Sequence, residues 1–484
     1  MTRQGKLSAG RHINMTTGPL FVNIVKFILP LIATNLLQQF YNAADIMVVG
    51  LSSEPDAVGA VGSAGSFLTL MVNIFIGFSV GANVLVARNI GAKDEEHTSR
   101  AVHTAVCMSL ISGVLGGIVG SLLVRSVLVG MGYTGTLLNL GLRYSYIYFA
   151  CMPFAAMTNF LSAILQAQGD TRTSLYTLTC AGLLNVGLNL FFVLVVGLSV
   201  EGVAIATAMA NLFSACVLWK ALSRKHNICP LSFRKLRLWR NEALEILRIG
   251  VPAGVQNAMF SISNILIQSS ILQVNNMVTP PNSAYAPVIK GNTAVSSLEG
   301  FVFTALGATT VTASAFTAQN VGANNYRRIR RAFGYICLIS AFIALVLSIS
   351  GMLFRAPLLS LYGVEKGEDL LSILTYDAAI TRFFWKWPAF LVYAMMNACS
   401  GTIRGLGKSA LAAFITFLGT CVFRILWIYT VFQYFMNLES IHISYPISWA
   451  ITGIAFVVIL FRLLRKKLRE EPPVSPTAEA EEMA

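Results

Sequence analysis

The chain has 484 residues, of which 55% are hydrophobic and 12% are charged, and its formal net charge is +14. Soluble domains carry about 25% charged residues, so this composition excludes an ordinary soluble protein and indicates many membrane-spanning segments. In such a protein the positive excess predicts basic cytoplasmic loops and no nucleic-acid partner.

Twelve apolar runs are long enough to cross a bilayer as helices, which takes about 20 residues each. We number them 1 to 12, with expected spans 20–49, 57–84, 101–124, 137–165, 173–196, 200–221, 245–273, 287–318, 330–354, 371–402, 409–434 and 441–463. The sequence therefore predicts an all-α integral membrane protein.

Lys and Arg are concentrated in the loops that follow even-numbered helices, for example at Arg234, Arg327 and Lys408. Because basic loops stay on the cytoplasmic side, this pattern predicts that both termini are cytoplasmic. We expect residues 1–19 to form a short cytoplasmic lead and 466–484 a disordered tail.

The sequence also repeats itself at a distance of roughly 220–240 residues. The matching features are Asn89-x-Gly91-Ala92 with Asn320-x-Gly322-Ala323, Pro30 with Pro252, and Gly169 with Gly407. The repeat predicts two six-helix pseudo-repeats around a central cleft, an N-lobe at 20–221 and a C-lobe at 245–465, joined by a basic linker at 222–244.

Helix 1 carries a polar face inside an otherwise apolar run. Its members are Asn35, Gln38, Gln39, Asn42 and Asp45, which fall within a sector of about 120° on a helix. For the amides alone, a polar seam packed against neighbouring helices is as good an interpretation as a functional site. A carboxylate inside a membrane helix is more often functional, so Asp45 is the first site candidate.

Other helices carry polar residues that could line a chamber with Asp45. Taken singly, each is more typical of a hydrogen bond between helices. They are Asn185 and Asn189 on helix 5, Thr207 and Asn211 on helix 6, and Asn257, Ser261, Asn264 and Gln268 on helix 7.

The remaining charged residues within the spans are open to more than one interpretation. Glu299 on helix 8 and Arg424 on helix 11 are either a buried pair or separate groups, and Glu299 stays a site candidate. Arg382 and Lys386 fall near the outer end of helix 10, where snorkelling to the surface is the ordinary expectation.

No catalytic motif is present in the sequence. It contains no Walker-type phosphate loop, no H-E-x-x-H and no G-x-S-x-G, and its five histidines are not grouped like metal ligands. We therefore expect neither an enzyme, nor a cofactor, nor a metal site, and a transport process driven by an ion gradient or by the gradient of the cargo.

Five segments together resemble the multidrug and toxic compound extrusion (MATE) family, most closely its bacterial DinF-like branch. They are PLIATNLLQQFYNAADIMVVG (30–50), the twice-used Asn-x-Gly-Ala, QAQGDT (166–171), GVAIAT (202–207) and SGTIRGLGKS (400–409). The resemblance implies a multi-pass, monomeric transporter in a bacterial plasma membrane that exports organic cations in exchange for H+ or Na+. It also implies that Asp45 is the coupling residue and that Asn185 and Thr207 line its chamber.

Two departures from the family pattern bear on the coupling ion. Asn189 stands where many relatives of this branch have a second aspartate. Helices 7 and 10 lack the acids with which other branches bind a cation in the C-lobe. The first departure leaves the chamber with one acid, and the second disfavours sodium bound in the C-lobe and favours proton coupling through Asp45. The rival hypotheses are a lipid-linked saccharide flippase of related fold and an integral membrane transferase.

Overall fold

The computed structural model describes residues 12–470 except 51–53, 55–56, 132, 225–226, 281–282 and 284. Each of the twelve expected spans corresponds to a helix or to a pair of consecutive helices. The first six are α1 (Leu20–Val49), α2 (Ala57–Gly91), α3 (Glu95–Gly130), α4 (Gly135–Ala150 and Met152–Ala167), α5 (Thr171–Val195) and α6 (Val200–Leu222).

The second six follow a 3-10 turn at Phe233–Lys235 and are interrupted by the short helix Arg355–Ser360. They are α7 (Arg240–Val278), α8 (Pro287–Gly322), α9 (Tyr326–Leu353), α10 (Leu370–Lys386 and Phe390–Gly405), α11 (Ser409–Phe435) and α12 (Leu438–Glu470). The predicted all-α membrane fold is confirmed.

Length and hydropathy alone identify fewer spans than twelve. Within the described residues nine helices meet both criteria, and the two parts of α4, bent by 51°, make a tenth. The helices outside this set are α7, whose first turns are polar, and α10, which carries Asp377, Arg382 and Lys386 and is broken near Pro388. A helix can hold such residues in a membrane when it packs them against protein.

Aspartates mark the starts of several helices. Asp94 precedes α3 and accepts a 3.0 Å hydrogen bond from the backbone N–H of His97. Asp170 caps α5 through Thr173, and Asp369 caps α10 through Ser372. Each carboxylate satisfies a backbone donor that has no partner within its own helix, which sets where the helix begins.

The chain forms two compact units. The described residues of unit 1 lie in 12–255 and 315–325, and those of unit 2 lie in 256–314 and 326–470. Both α7 and α8 therefore contribute to both units. The lobe boundaries at 221 and 245 stay a prediction.

The repeated Asn-x-Gly-Ala motif forms the same turn in both copies. Lys93 and Asn324, the residues after the motif, have φ angles of 57° and 53°, and the residue after each donates to the carbonyl of the motif asparagine. Both copies lie in unit 1, where α2 and the end of α8 cross at the glycines. A Cβ on Gly91 would overlap the carbonyl oxygen of Gln319, and one on Gly322 would overlap that of Arg88.

The other repeated features also adopt matching structures. Pro30 and Pro252 both lie inside helices, α1 and α7. Gly169 and Gly407 end α4 and α10 with φ angles of 85° and 75°, a conformation that glycine adopts without steric cost. The duplication seen in the sequence is therefore a duplication of local structure.

Candidate functional site

In unit 1, Asp45 lies near the end of α1 beside two polar residues of α5. Asn189 Nδ2 donates to Asp45 Oδ1 at 2.6 Å and to Asn185 Oδ1 at 3.2 Å. Asn185 Nδ2 donates in turn to Thr207 Oγ1 of α6 at 3.3 Å, and Thr207 also forms a side-chain hydrogen bond with Asp45. The three helices thus surround a half-buried carboxylate with neutral polar groups.

The local structure of α5 explains why both asparagines face Asp45. Asn185 and Asn189 are four residues apart, so they lie on the same face of the helix. The helix then widens into a π-helical turn at Phe191–Val195. Such turns are rare and frequently occur at functional sites.

Asn189 is fully buried, and its side-chain carbonyl has no partner. Its exposed fraction is 0%, and its Oδ1 accepts no hydrogen bond from the described residues. Asn189 therefore directs its NH2 group toward Asp45 and Asn185, and its carbonyl oxygen away from them. This orientation suits an ionised Asp45, which accepts hydrogen bonds.

Two tyrosines of α4 complete the surroundings of Asp45. Tyr144 and Tyr148 lie within electrostatic range of its carboxylate, and their ring centroids are 6.3 Å apart. Neither was singled out from the sequence. Their spacing of four residues on one helix face was the signal available for finding them.

In unit 2, Glu299 of α8 lies in a buried charged cluster with three cations. We call this the basic cluster and define it as Glu299, Arg382, Lys386 and Arg424. Arg382 donates to both carboxylate oxygens of Glu299, at 2.8 and 2.6 Å, and Lys386 Nζ donates to Oε2 at 2.6 Å. The exposed fractions of the four residues lie between 0% and 3%.

Aromatic and polar groups of α12 cover the third cation of the basic cluster. Arg424 Nε donates to Ser448 Oγ at 3.0 Å, and its Cζ lies 4.1 Å from the centroid of the Tyr445 ring. Lys386 Nζ lies 3.7 Å from the same centroid. A cation near an aromatic ring is attracted by the negative electrostatic potential of the ring face.

Amides connect the basic cluster to the polar residues of α7. Arg382 Nη1 donates to Asn292 Oδ1 at 2.7 Å, and Asn292 Nδ2 donates to Gln268 Oε1 at 3.4 Å. Asn264 accepts a 3.4 Å hydrogen bond from the Tyr445 hydroxyl. Polar residues of the second half therefore lead to a basic site and not to a lone acid.

Comparison with known families identifies the protein class. The family model MatE matches residues 30–191 and 252–430, which together make up most of the chain. The chain belongs to the MatE family of membrane transporters. Its two matched segments correspond to the two halves of the internal repeat.

The curated relatives of this MatE-family protein include two bacterial proteins. It is 29% identical over 393 residues to the probable multidrug resistance protein YoeA of Bacillus subtilis (strain 168). The matched stretch covers 79% of this chain and 80% of the relative. It is 23% identical over 419 residues to the probable multidrug resistance protein NorM of Thermotoga maritima, with 85% and 86% covered.

Solved structures of the same family share the fold. A crystal structure of MATE in the bent conformation matches with a TM-score of 0.85 and 20% identity, covering 96% of this chain and 100% of that one. An outward-facing conformation of a multidrug resistance MATE family transporter gives the same TM-score and coverage. At this identity the match shows the fold alone.

The residues of the predicted polar face of α1 differ in their exposure. Gln38 and Asn42 are exposed, and Asn35 and Gln39 are half-buried. The backbone carbonyl of Asn211 on α6 accepts a 3.3 Å hydrogen bond from Thr158 Oγ1. A chamber role for these residues and for Asn257 stays a prediction, and the side chain of Ser261 lies outside the described residues.

The snorkelling expected for Arg382 and Lys386 is wrong. Both are buried, with 3% and 1% exposed, because Glu299 supplies a carboxylate on the neighbouring α8. Of the two alternatives for Glu299 and Arg424, the structure does not show the direct ion pair among the described contacts, in which Glu299 bonds to Arg382 and Lys386. Sequence spacing within α10 cannot show which helix lies opposite.

The described residues contain no group of three or more His, Cys, Asp or Glu side chains arranged to hold a metal ion. The oxygens near Asp45 are a single carboxylate, amide carbonyls and a threonine hydroxyl. Hard monovalent or divalent cations prefer such oxygen ligands. The same groups can equally stabilise an ionised carboxylate that accepts a proton.

Proposed function

We propose that this MatE-family protein is a secondary active multidrug exporter that moves organic, mostly cationic compounds out of the cell in exchange for protons. Asp45 is the residue that binds the coupling proton. The observation that carries the proposal is the neutral surroundings of Asp45, whose hydrogen-bond partners Asn189 and Thr207 bear no charge. The names of the bacterial relatives support the cargo class.

Neutral partners make Asp45 suitable for proton exchange. A carboxylate that is paired with a cation cannot be protonated without leaving that cation uncompensated. Protonation of Asp45 leaves no buried charge behind, and it converts an acceptor into a hydroxyl donor. Asn189 can then turn its unpartnered carbonyl toward the new donor.

The transport cycle follows from this change in charge. Protonation from the outside removes a charge that is costly in a membrane helix, lets α1 repack and favours release of the cargo outward. Loss of the proton to the cytoplasm restores the state that accepts cargo. A conformational change of this kind requires only that the two protonation states prefer different conformations.

The size of the driving force depends on stoichiometry. One pH unit is worth about 1.4 kcal/mol, and 100 mV acts on one charge with about 2.3 kcal/mol. Exchange of one proton for one monovalent cation moves no net charge, so only the pH gradient drives it. An imposed membrane potential should then leave the rate unchanged.

The test is uptake of ethidium into inverted vesicles that contain the full-length protein, with the pH gradient imposed and sodium absent. Asp45→Asn should abolish the response to the gradient. Asp377→Asn is the matched control, because it makes the same change at an exposed acid of α10 and should transport like the wild type. Asn189→Ala should retain transport and move the midpoint of its pH dependence upward, because the lost hydrogen bond stabilises the ionised carboxylate.

Wild-type-like transport and pH response in Asp45→Asn would show that the coupling assignment is wrong. Uptake that appears only when a sodium gradient replaces the pH gradient would make sodium the coupling ion instead of the proton. Absence of drug transport in the wild type under either gradient would overturn the multidrug exporter itself. Translocation of a lipid-linked saccharide in the same vesicles would then favour the flippase.

A further inference from the structure

The basic cluster of unit 2 holds more positive charge than its carboxylate compensates. Arg382 and Arg424 are guanidinium cations, Lys386 adds an amine, and Glu299 is the carboxylate that the described contacts give them. All four residues are at most 3% exposed. Buried charge is costly unless it is paired, so an excess of buried cations calls for a negative partner.

Hydrogen-bond donors next to this excess charge are left unsatisfied. Arg424 Nη2 is buried and has no partner among the described residues, and neither has Nδ1 or Nε2 of His442. His442 is 0% exposed and lies within electrostatic range of Arg382 and Lys386. A neutral imidazole always carries one N–H, so at least two buried donors lack an acceptor here.

Unsatisfied buried donors are uncommon in native proteins and are usually explained by a bound water or ion. Here the groups are donors on or beside cations, so a metal or an ammonium group would be repelled. The ring of Tyr445, 3.7 Å from Lys386 Nζ and 4.1 Å from Arg424 Cζ, attracts both cations without changing the net charge. The ligand chemistry that fits is a negative charge.

The local backbone also sets Arg424 apart. It lies in the short α-helical stretch Phe423–Trp427 of α11, between π-helical turns at Phe417–Val422 and Ile428–Phe432. Such turns shift the helical register and are frequent at functional sites. Asn189 of the Asp45 site likewise precedes a π-helical turn in α5.

We propose that unit 2 binds a small monovalent anion in the basic cluster, at the unpartnered Nη2 of Arg424. The group is small because Arg424 is buried, with 2% exposed, and its charge is negative because the basic cluster carries a positive excess. Two sources have this chemistry, a free halide and the carboxylate of a transported compound. The site goes beyond the exchange of organic cations for protons and does not depend on Asp45.

The first experiment measures thermal melting of the purified full-length protein in detergent, with chloride replacing isethionate at constant ionic strength. A ligand that binds the folded state alone raises the melting temperature saturably. The wild type and the control Arg462→Gln, altered at an exposed arginine of α12, should show that rise. Arg424→Gln should need at least tenfold more chloride for half of the effect.

The same melting experiment with acetate in place of chloride tests whether the site accepts a carboxylate. Transport of two matched dyes then tests whether that carboxylate belongs to the cargo. Rhodamine B carries a carboxylate that its ethyl ester lacks. If the anion belongs to the cargo, acetate raises the melting temperature and Arg424→Gln reduces uptake of rhodamine B but not of the ester. If the anion is a free halide, chloride alone raises the melting temperature and both dyes respond alike.

The proposal is overturned if neither anion raises the melting temperature of the wild type saturably, or if Arg424→Gln responds like Arg462→Gln. If Arg424→Gln does not fold, His442→Phe removes the unpartnered imidazole that lies within electrostatic range of Arg382 and Lys386, and it should also weaken the chloride effect. Each of these results leaves the vesicle test of Asp45 intact, because that test measures proton coupling and not anion binding.

Discussion

Asp45 in unit 1 and Glu299 in unit 2 are both carboxylates inside membrane helices, but their partners differ in charge. Asp45 interacts with the neutral Asn189 and Thr207, whereas Glu299 pairs with Arg382 and Lys386. Protonation of Asp45 removes a charge, while protonation of Glu299 would leave two buried cations uncompensated. A buried acid whose partners are neutral can therefore exchange a proton, whereas a buried acid that pairs with cations has a structural role.

The largest expected effect separates these two acids directly. Glu299→Gln removes the carboxylate from two buried cations, and breaking a buried ion pair from one side costs roughly 3–5 kcal/mol. Asp45→Asn leaves neutral hydrogen-bonding groups together and should cost about 1 kcal/mol or less. Thermal melting in detergent measures both.

Two further results would decide how the Glu299 effect arises. The double variant Glu299→Gln/Lys386→Met should recover part of the lost stability, because it removes one of the stranded cations. Equal losses in Glu299→Gln and Asp45→Asn would contradict the distinction between a structural and an exchangeable acid.

An intermediate effect is expected where the two copies of the repeated turn cross. Gly91→Ala and Gly322→Ala each place a methyl group on a backbone carbonyl oxygen of the other copy, and such overpacking costs typically about 1–3 kcal/mol. Because the two turns have matching geometry, the two losses of melting temperature should be similar.

The control for this prediction is Gly307→Ala on α8, where a Cβ meets nothing within 4 Å. Alanine inside a helix should be neutral there or stabilising by about 0.5–1 kcal/mol relative to glycine. A loss confined to one of the two crossing glycines would show that the copies are not equivalent.

The smallest effect is expected at two helix caps, that of α3 in unit 1 and that of α10 in unit 2. The backbone N–H of His97 lowers the pKa of Asp94, and hydrogen bonds from Ser372 lower the pKa of Asp369. The ionised form is therefore favoured in the folded protein. Its contribution is present at neutral pH and is lost as the pH falls below about 4, where the carboxyl groups become protonated.

Asn replaces either cap without loss of the side-chain acceptor, because Asn caps helices as well as Asp does. Asp94→Asn and Asp369→Asn should each lower the melting temperature slightly at about pH 7, and the difference from the wild type should shrink as the pH falls below about 4. A difference from the wild type that persists unchanged at the lower pH would show that the caps do not act through their charge.

The sequence by itself determined the fold class, the twelve helical segments and the repeat. Long apolar runs are a local property, and each must form a helix to satisfy its backbone groups in lipid. The repeat was equally visible, since Gly91 and Gly322 or Gly169 and Gly407 need the same local backbone in both copies. It also marked Asp45, because an acid stands out in an apolar helix.

The tertiary structure alone decided what each charged residue faces. From the sequence alone, Arg382 and Lys386 are expected to snorkel to the membrane surface. In the structure, the carboxylate of Glu299 on α8 pairs with both of them. Tyr144 and Tyr148 are ordinary residues of their helix until packing brings them near Asp45. In the same way, packing brings Asn292 and His442 near Arg382. The physical reason is that helix periodicity assigns a face to each residue, whereas the charge opposite that face belongs to another part of the chain.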